Sequence, residues 1–83
     1  ETQQLVEKLR ALSKETAGFD VKVHHVHIHK YGDHKELTFH IALPPEIQLD
    51  KAHEIMENIE LKIEDTMDMC ATIHADPINK ALD

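Results

Sequence analysis

The chain has one cysteine, two glycines, three prolines and no tryptophan. A lone Cys70 makes no internal disulfide, which favours a reducing compartment. Long apolar runs are missing too: Ile41-Ala42-Leu43 is as long as any, whereas a bilayer span needs about twenty such residues in a row. This segment is therefore not expected to enter a membrane. Basic residues are scarce, nine Lys and Arg against sixteen Asp and Glu, for a net charge of −7. That excludes the positive field a phosphate backbone demands, so nucleic acid is not an expected partner. No signal segment opens the chain, and the missing initiator methionine points to a processed or excised piece. With 83 residues, 41% hydrophobic and 30% charged, the composition is that of one small folded domain.

What the chain has in excess is histidine, eight residues against two Phe and one Tyr. Around these histidines the apolar pattern defines five elements. Leu5, Val6, Leu9 and Leu12 recur at helical spacing and predict a helix over about 2–16, stopped by Gly18. Val21 to Lys30 and Glu36 to Leu43 are strand-like runs separated by Gly32 to Lys35, a predicted β-hairpin with Tyr31 facing Glu36. That register places Val26 and Ile28 on one face with Leu37, Phe39 and Ile41. His25, His27, His29, Thr38 and His40 share the other. Pro44-Pro45 ends the second strand, and Asp50 is the expected N-cap of a helix over about 50–66, whose stripe is Ala52, Ile55, Met56, Ile59 and Ile63. Met69 to Ala75 reads as a last strand, with Thr72, His74 and Asp76 on one side and Ala71, Ile73 and Ala75 on the other. The order αββαβ implies an α+β, two-layer, ferredoxin-like sandwich: a three-stranded sheet with both helices on one face.

Imidazole and carboxylate together suit a borderline divalent ion such as zinc, and His74-x-Asp76 sets one of each on the same side of a strand end. His40 lies mid-strand on the less apolar face, and His53 sits one turn inside the second helix. His25, His27 and His29 form an alternating ladder with side chains about 7 Å apart and no carboxylate in the run. Cys70 reads as a small core residue. Catalysis is not expected, because Ser13, the only serine, has no evident partner on its helix, and so small a sandwich leaves little room for a substrate. An RNA-binding sandwich of this size would carry aromatics on its central strands, where this chain has His and Val.

Four ordered motifs then coincide: His24 eight residues before Gly32, Phe39-His40-Ile41, Ala52-His53-Glu54-Ile55, and Ile73-His74-Ala75-Asp76-Pro77. Over residues 3–77 this pattern resembles the cytoplasmic C-terminal domain of the cation diffusion facilitator family, membrane exporters of zinc and related divalent ions. The resemblance implies a metallochaperone-like fold, a homodimer, and metal sites that regulate transport performed by the membrane domain of a parent transporter. It would make the whole of 1–83 one regulatory and dimerisation domain on the cytoplasmic side of the membrane. Carried over by position, it implies His24, His40, His53, His74 and Asp76 as ligands of zinc or another divalent metal. One ion would draw on His24, His40 and Asp76, a second on His53, His74 and Asp76, and water or the partner subunit would complete each shell. A free-standing soluble metal carrier of the same fold, or an interaction module with incidental histidines, are the alternative readings. The simple hairpin register puts His24 on the face opposite His40. Because Val21 and Val23 are out of phase with Val26 and Ile28, a bulge near His24 is expected to turn it toward the site.

Overall fold

The structure is a computed structural model that describes residues 2–77, so the first residue and the last six of the domain expected over 1–83 lie outside the described residues. The element order is α1 (Thr2–Ala17), β1 (His24–Tyr31), β2 (His34–Leu43), α2 (Leu49–Met67) and β3 (Cys70–Pro77). β2 is the central strand, antiparallel to β1 and parallel to β3. Chain order explains the difference: a two-residue turn joins β1 to β2, whereas α2 forms the crossover that parallel pairing of β2 and β3 requires.

One face of the sheet and the apolar stripes of both helices form the core. Leu37, Phe39 and Ile41 of β2 meet Leu9 and Leu12 of α1, Ile55, Ile59 and Ile63 of α2, and Ile73 of β3, all buried. Gly18, at φ +89°, closes α1 by donating its N–H to the Lys14 carbonyl at 2.9 Å. The fold class follows the αββαβ expectation, and the element boundaries shift by only a few residues.

Three local expectations are corrected. The hairpin turn is Gly32-Asp33 alone, with Tyr31 opposite His34 rather than Glu36, and Gly32 adopts φ +61°. Tight two-residue turns of this kind match the twist of the strands they join. Register therefore moves by two residues, an even number, so Ile28 lies opposite Leu37 rather than Phe39 and the side chains from His27 to the turn keep their faces. The N-cap of α2 is Gln48, with no side-chain cap bond, and Asp50 falls within the first turn, where its carboxylate favours the positive helix end. Cys70 is exposed, at the start of β3 on the face without helices.

The irregularity expected near His24 is present. His24 pairs with His40 and His27 with Thr38, so β1 carries one residue more than β2 between these pairs. His25 absorbs the extra residue at φ +52°. Before the bulge Val21 and Val23 point into the core, and after it Val26 packs against the same core. The change of phase is what turns His24 onto the open face beside His40.

Candidate metal centre

The open face of the sheet, at the end remote from the hairpin turn, brings together one residue from each strand: His24 of β1, His40 of β2 and Asp76 of β3. Their ligating atoms lie within 4.8 Å of one another, and all three are half-buried. Strand register does the positioning, since His24 pairs with His40 and His40 with His74, two residues before Asp76. His40 Nδ1 lies 3.1 Å and His24 Nε2 3.4 Å from the same carboxylate oxygen, Oδ2 of Asp76. Donor atoms around a tetrahedral zinc, at about 2.0–2.1 Å from the metal, lie about 3.3 Å from one another. The two spacings found are those of two edges of such a shell meeting at Asp76 Oδ2, and the donor set is that of borderline divalent ions.

The His24 ring is oriented from behind. Its Nδ1 donates to the Lys22 carbonyl at 2.6 Å, which leaves Nε2 with its lone pair toward Asp76 whenever the ring is neutral. Lys22 itself has φ +54°, a conformation held by the bond from its own N–H to Asp20 Oδ1 at 2.9 Å, a local side-chain turn of the kind aspartate makes readily. A ring N–H given to a backbone carbonyl is the usual outer support of a metal-bound histidine.

Asp76 is held below the ordinary 3.8 of its carboxyl, chiefly by the hydrogen bond from His40, with a smaller contribution from His24 opposing a modest desolvation. The anion is thus kept ready to ligate. Two further imidazoles pack on the group: His25 has its ring centroid 5.0 Å from that of His24 and 5.3 Å from that of His40, and His74 stacks on His40 at 5.0 Å.

Of the five histidine and aspartate positions expected to bind metal, the structure gathers three. His74 is exposed on β3 and touches the group through its stack on His40. His53 is exposed on α2, and neither residue joins the three-residue cluster. Lys22 and Asp20 were invisible as contributors in the sequence: the only signal was Asp two residues before a position that needs an αL backbone. An apolar groove of about 230 Å³ adjoins Asp76 between the strand ends and α2, lined by Leu43, Pro44, Ile47, Leu49 and Ala52 among others. No described helix is long and apolar enough to cross a membrane.

A family model for the cytoplasmic domain of cation efflux proteins matches residues 2–78. The chain belongs to this family. Among solved structures, the cation efflux domain is similar to the zinc form of CzrB, with 25% identity over 93% of this chain and 89% of that one and a TM-score of 0.77. It is similar in fold to the metal-bound C-terminal domain of CzcD from Thermotoga maritima, at 20% identity, 94% and 93% coverage and a TM-score of 0.77. The manganese form of the MamM C-terminal domain gives 19% identity, 93% and 99% coverage and a TM-score of 0.74. No curated protein sequence matches the chain significantly.

Proposed function

We propose that this cation efflux domain is a metal-sensing, dimer-forming regulatory unit on the cytoplasmic side of a transporter, and that zinc is the ion its donors fit best. The observation that carries the reading is the pair of acceptors 3.4 Å apart, His24 Nε2 and Asp76 Oδ2, with the His24 proton committed to Lys22. Two lone pairs at that distance call for a cation between them. A proton or a metal ion fills such a gap, and His40 Nδ1, 3.1 Å from the same oxygen, offers a metal a third donor once it gives up the proton it shares with Asp76. Solved structures of similar domains carry zinc and manganese, which supports the same reading.

His24, His40 and Asp76 would hold one ion. A second would draw on His74 and His53 with Asp76 shared between the two, the partner subunit or water completing each shell. Each chain carries −7, so two apposed copies repel until bound cations cancel charge between them. Metal then favours the closed dimer. To move the pair from mostly open to mostly closed, the ion must bind the closed form about 10⁴-fold more tightly, some 5.5 kcal/mol, a difference that ligands assembled only on closure supply. The chemistry is binding and charge neutralisation, with no bond made or broken.

Isothermal titration of zinc into the metal-free chain, with light scattering for mass, tests this. Roughly one or two ions per chain on a dimer mass, with high-affinity binding lost in Asp76→Ala and the stoichiometry lowered in His74→Ala, is the expected result. Undiminished binding in Asp76→Ala, or zinc that leaves the mass unchanged at monomer, overturns it.

A further inference from the structure

The open face carries a second set of metal-type donors at its other end, beside the hairpin turn. His29 of β1 pairs directly with Glu36 of β2. His34 stands two residues before Glu36 on the same face, with its Nε2 3.4 Å from Glu36 Oε2, again the edge length of a tetrahedral zinc shell. Directly opposed residues of an antiparallel pair have Cβ atoms about 4.5–5.5 Å apart, close enough for the His29 ring and the Glu36 carboxylate to reach one ion. All three residues are exposed, so their side chains turn without disturbing the core. The His29 ring stacks on Tyr31, with centroids 6.5 Å apart, and must swing from that stack to reach the ion. His24, His40 and Asp76 are the one set gathered within 4.8 Å among the described residues.

We propose that His29, His34 and Glu36 form a further, ion-assembled site for a borderline divalent cation such as zinc, separate from the ions that share Asp76. Glu36 and His40 are four residues apart on β2, about 13 Å at the rise of a strand, so no single ion spans both groups. Two imidazoles and one carboxylate, with water in the remaining position, suit zinc, cobalt or nickel rather than magnesium or calcium, which take shells built from oxygen. Because its side chains must be gathered, this site binds more weakly than the first and fills at higher metal concentration.

The test uses the full chain carrying His40→Ala and Asp76→Ala, which disables the first group. Zinc is titrated calorimetrically, and cobalt(II) is followed by the emission of Tyr31, the chain's one tyrosine in the absence of tryptophan. The expected result is one zinc per chain and quenching of Tyr31 by bound cobalt. Addition of His34→Ala and Glu36→Gln should weaken zinc binding at least tenfold and abolish the quenching. In the converse variant, His34→Ala and Glu36→Gln alone, the first site should keep its wild-type affinity, so the two proposals fail separately. No zinc binding in the His40→Ala/Asp76→Ala chain overturns the site beside the turn, as does binding or quenching that survives the further loss of His34 and Glu36.

Discussion

The Lys22 carbonyl accepts the Nδ1 proton of His24 at 2.6 Å, so a backbone group two residues upstream decides which ring nitrogen faces Asp76. That carbonyl is aimed by the turn that Asp20 holds through the Lys22 N–H. Asp20→Ala should therefore weaken zinc binding by about 10–100-fold, the usual cost of losing an outer support, although no metal-ligating atom is removed. Calorimetry on a variant with an unchanged circular dichroism spectrum is the check, and equal affinity would show that the ring holds its orientation without the turn.

The bulge depends on His25 at φ +52°, a conformation glycine adopts freely and β-branched residues resist. His25→Val should destabilise the metal-free domain by about 1–2 kcal/mol and loosen the first site, because strain there favours regular pairing and turns His24 away from His40. His25→Gly should be close to neutral in stability and keep the site. Urea unfolding of both variants, with zinc titration of each, separates backbone from side-chain effects.

Ser13 is fully buried on α1, and its hydroxyl has no hydrogen-bond partner among the described residues. An unpaired buried hydroxyl costs about 1–3 kcal/mol, and alanine is also the better helix former. Ser13→Ala should raise the unfolding free energy by about 1 kcal/mol or more without altering metal binding, as measured by urea midpoint at constant slope.

Acid acts on the metal-free domain through Asp76. Its folded pKa lies below the ordinary 3.8, so the unfolded chain binds more protons in that interval and stability rises with pH across it. The contribution is complete above the ordinary value and is lost as pH falls through the lowered one. Asp76→Asn should flatten this part of the acid limb in urea midpoints measured from about pH 2 to 5. Zinc binding fades at much milder acidity, since ligation needs neutral imidazole, which free histidine loses below about pH 6.5. At 100 times its dissociation constant, zinc should add about 2.7 kcal/mol to the stability of the wild type near pH 7.5. A chelator should remove that gain, and Asp76→Ala should never show it.

The fold was largely legible because burial writes itself into periodicity. The stripe Ile55, Ile59, Ile63 marked the inner face of α2, and the alternation from Leu37 to Ile41 marked that of β2. Even the bulge left a trace, in the phase change between Val23 and Val26. Register did not: the hairpin turn is two residues rather than four, an error that alternation cannot expose because it preserves every face. Nor did the environment of Cys70, since an edge position at a strand start buries little whatever the residue. In the site, ligand types could be named from chemistry, but the αL backbone of Lys22, the edge-on packing of His25 and the stacking of His74 on the cluster arise from three-dimensional neighbours with no local spacing rule. The outward placement of His53 likewise depends on how α2 sits over the sheet.

The three clustered residues come from both outer strands and the middle one, and from positions 24, 40 and 76 of the chain. An ion held there ties the early and late portions of the polypeptide across the strand between them. Amide protons near that end of the sheet would then exchange with solvent only when the whole molecule opens, while those at the Gly32-Asp33 turn would go on exchanging by local fraying. At metal concentrations that fill this site and not the one beside the hairpin turn, the sheet would have one pinned end and one free end, and a slow-to-fast gradient of exchange running along β2 from His40 toward His34.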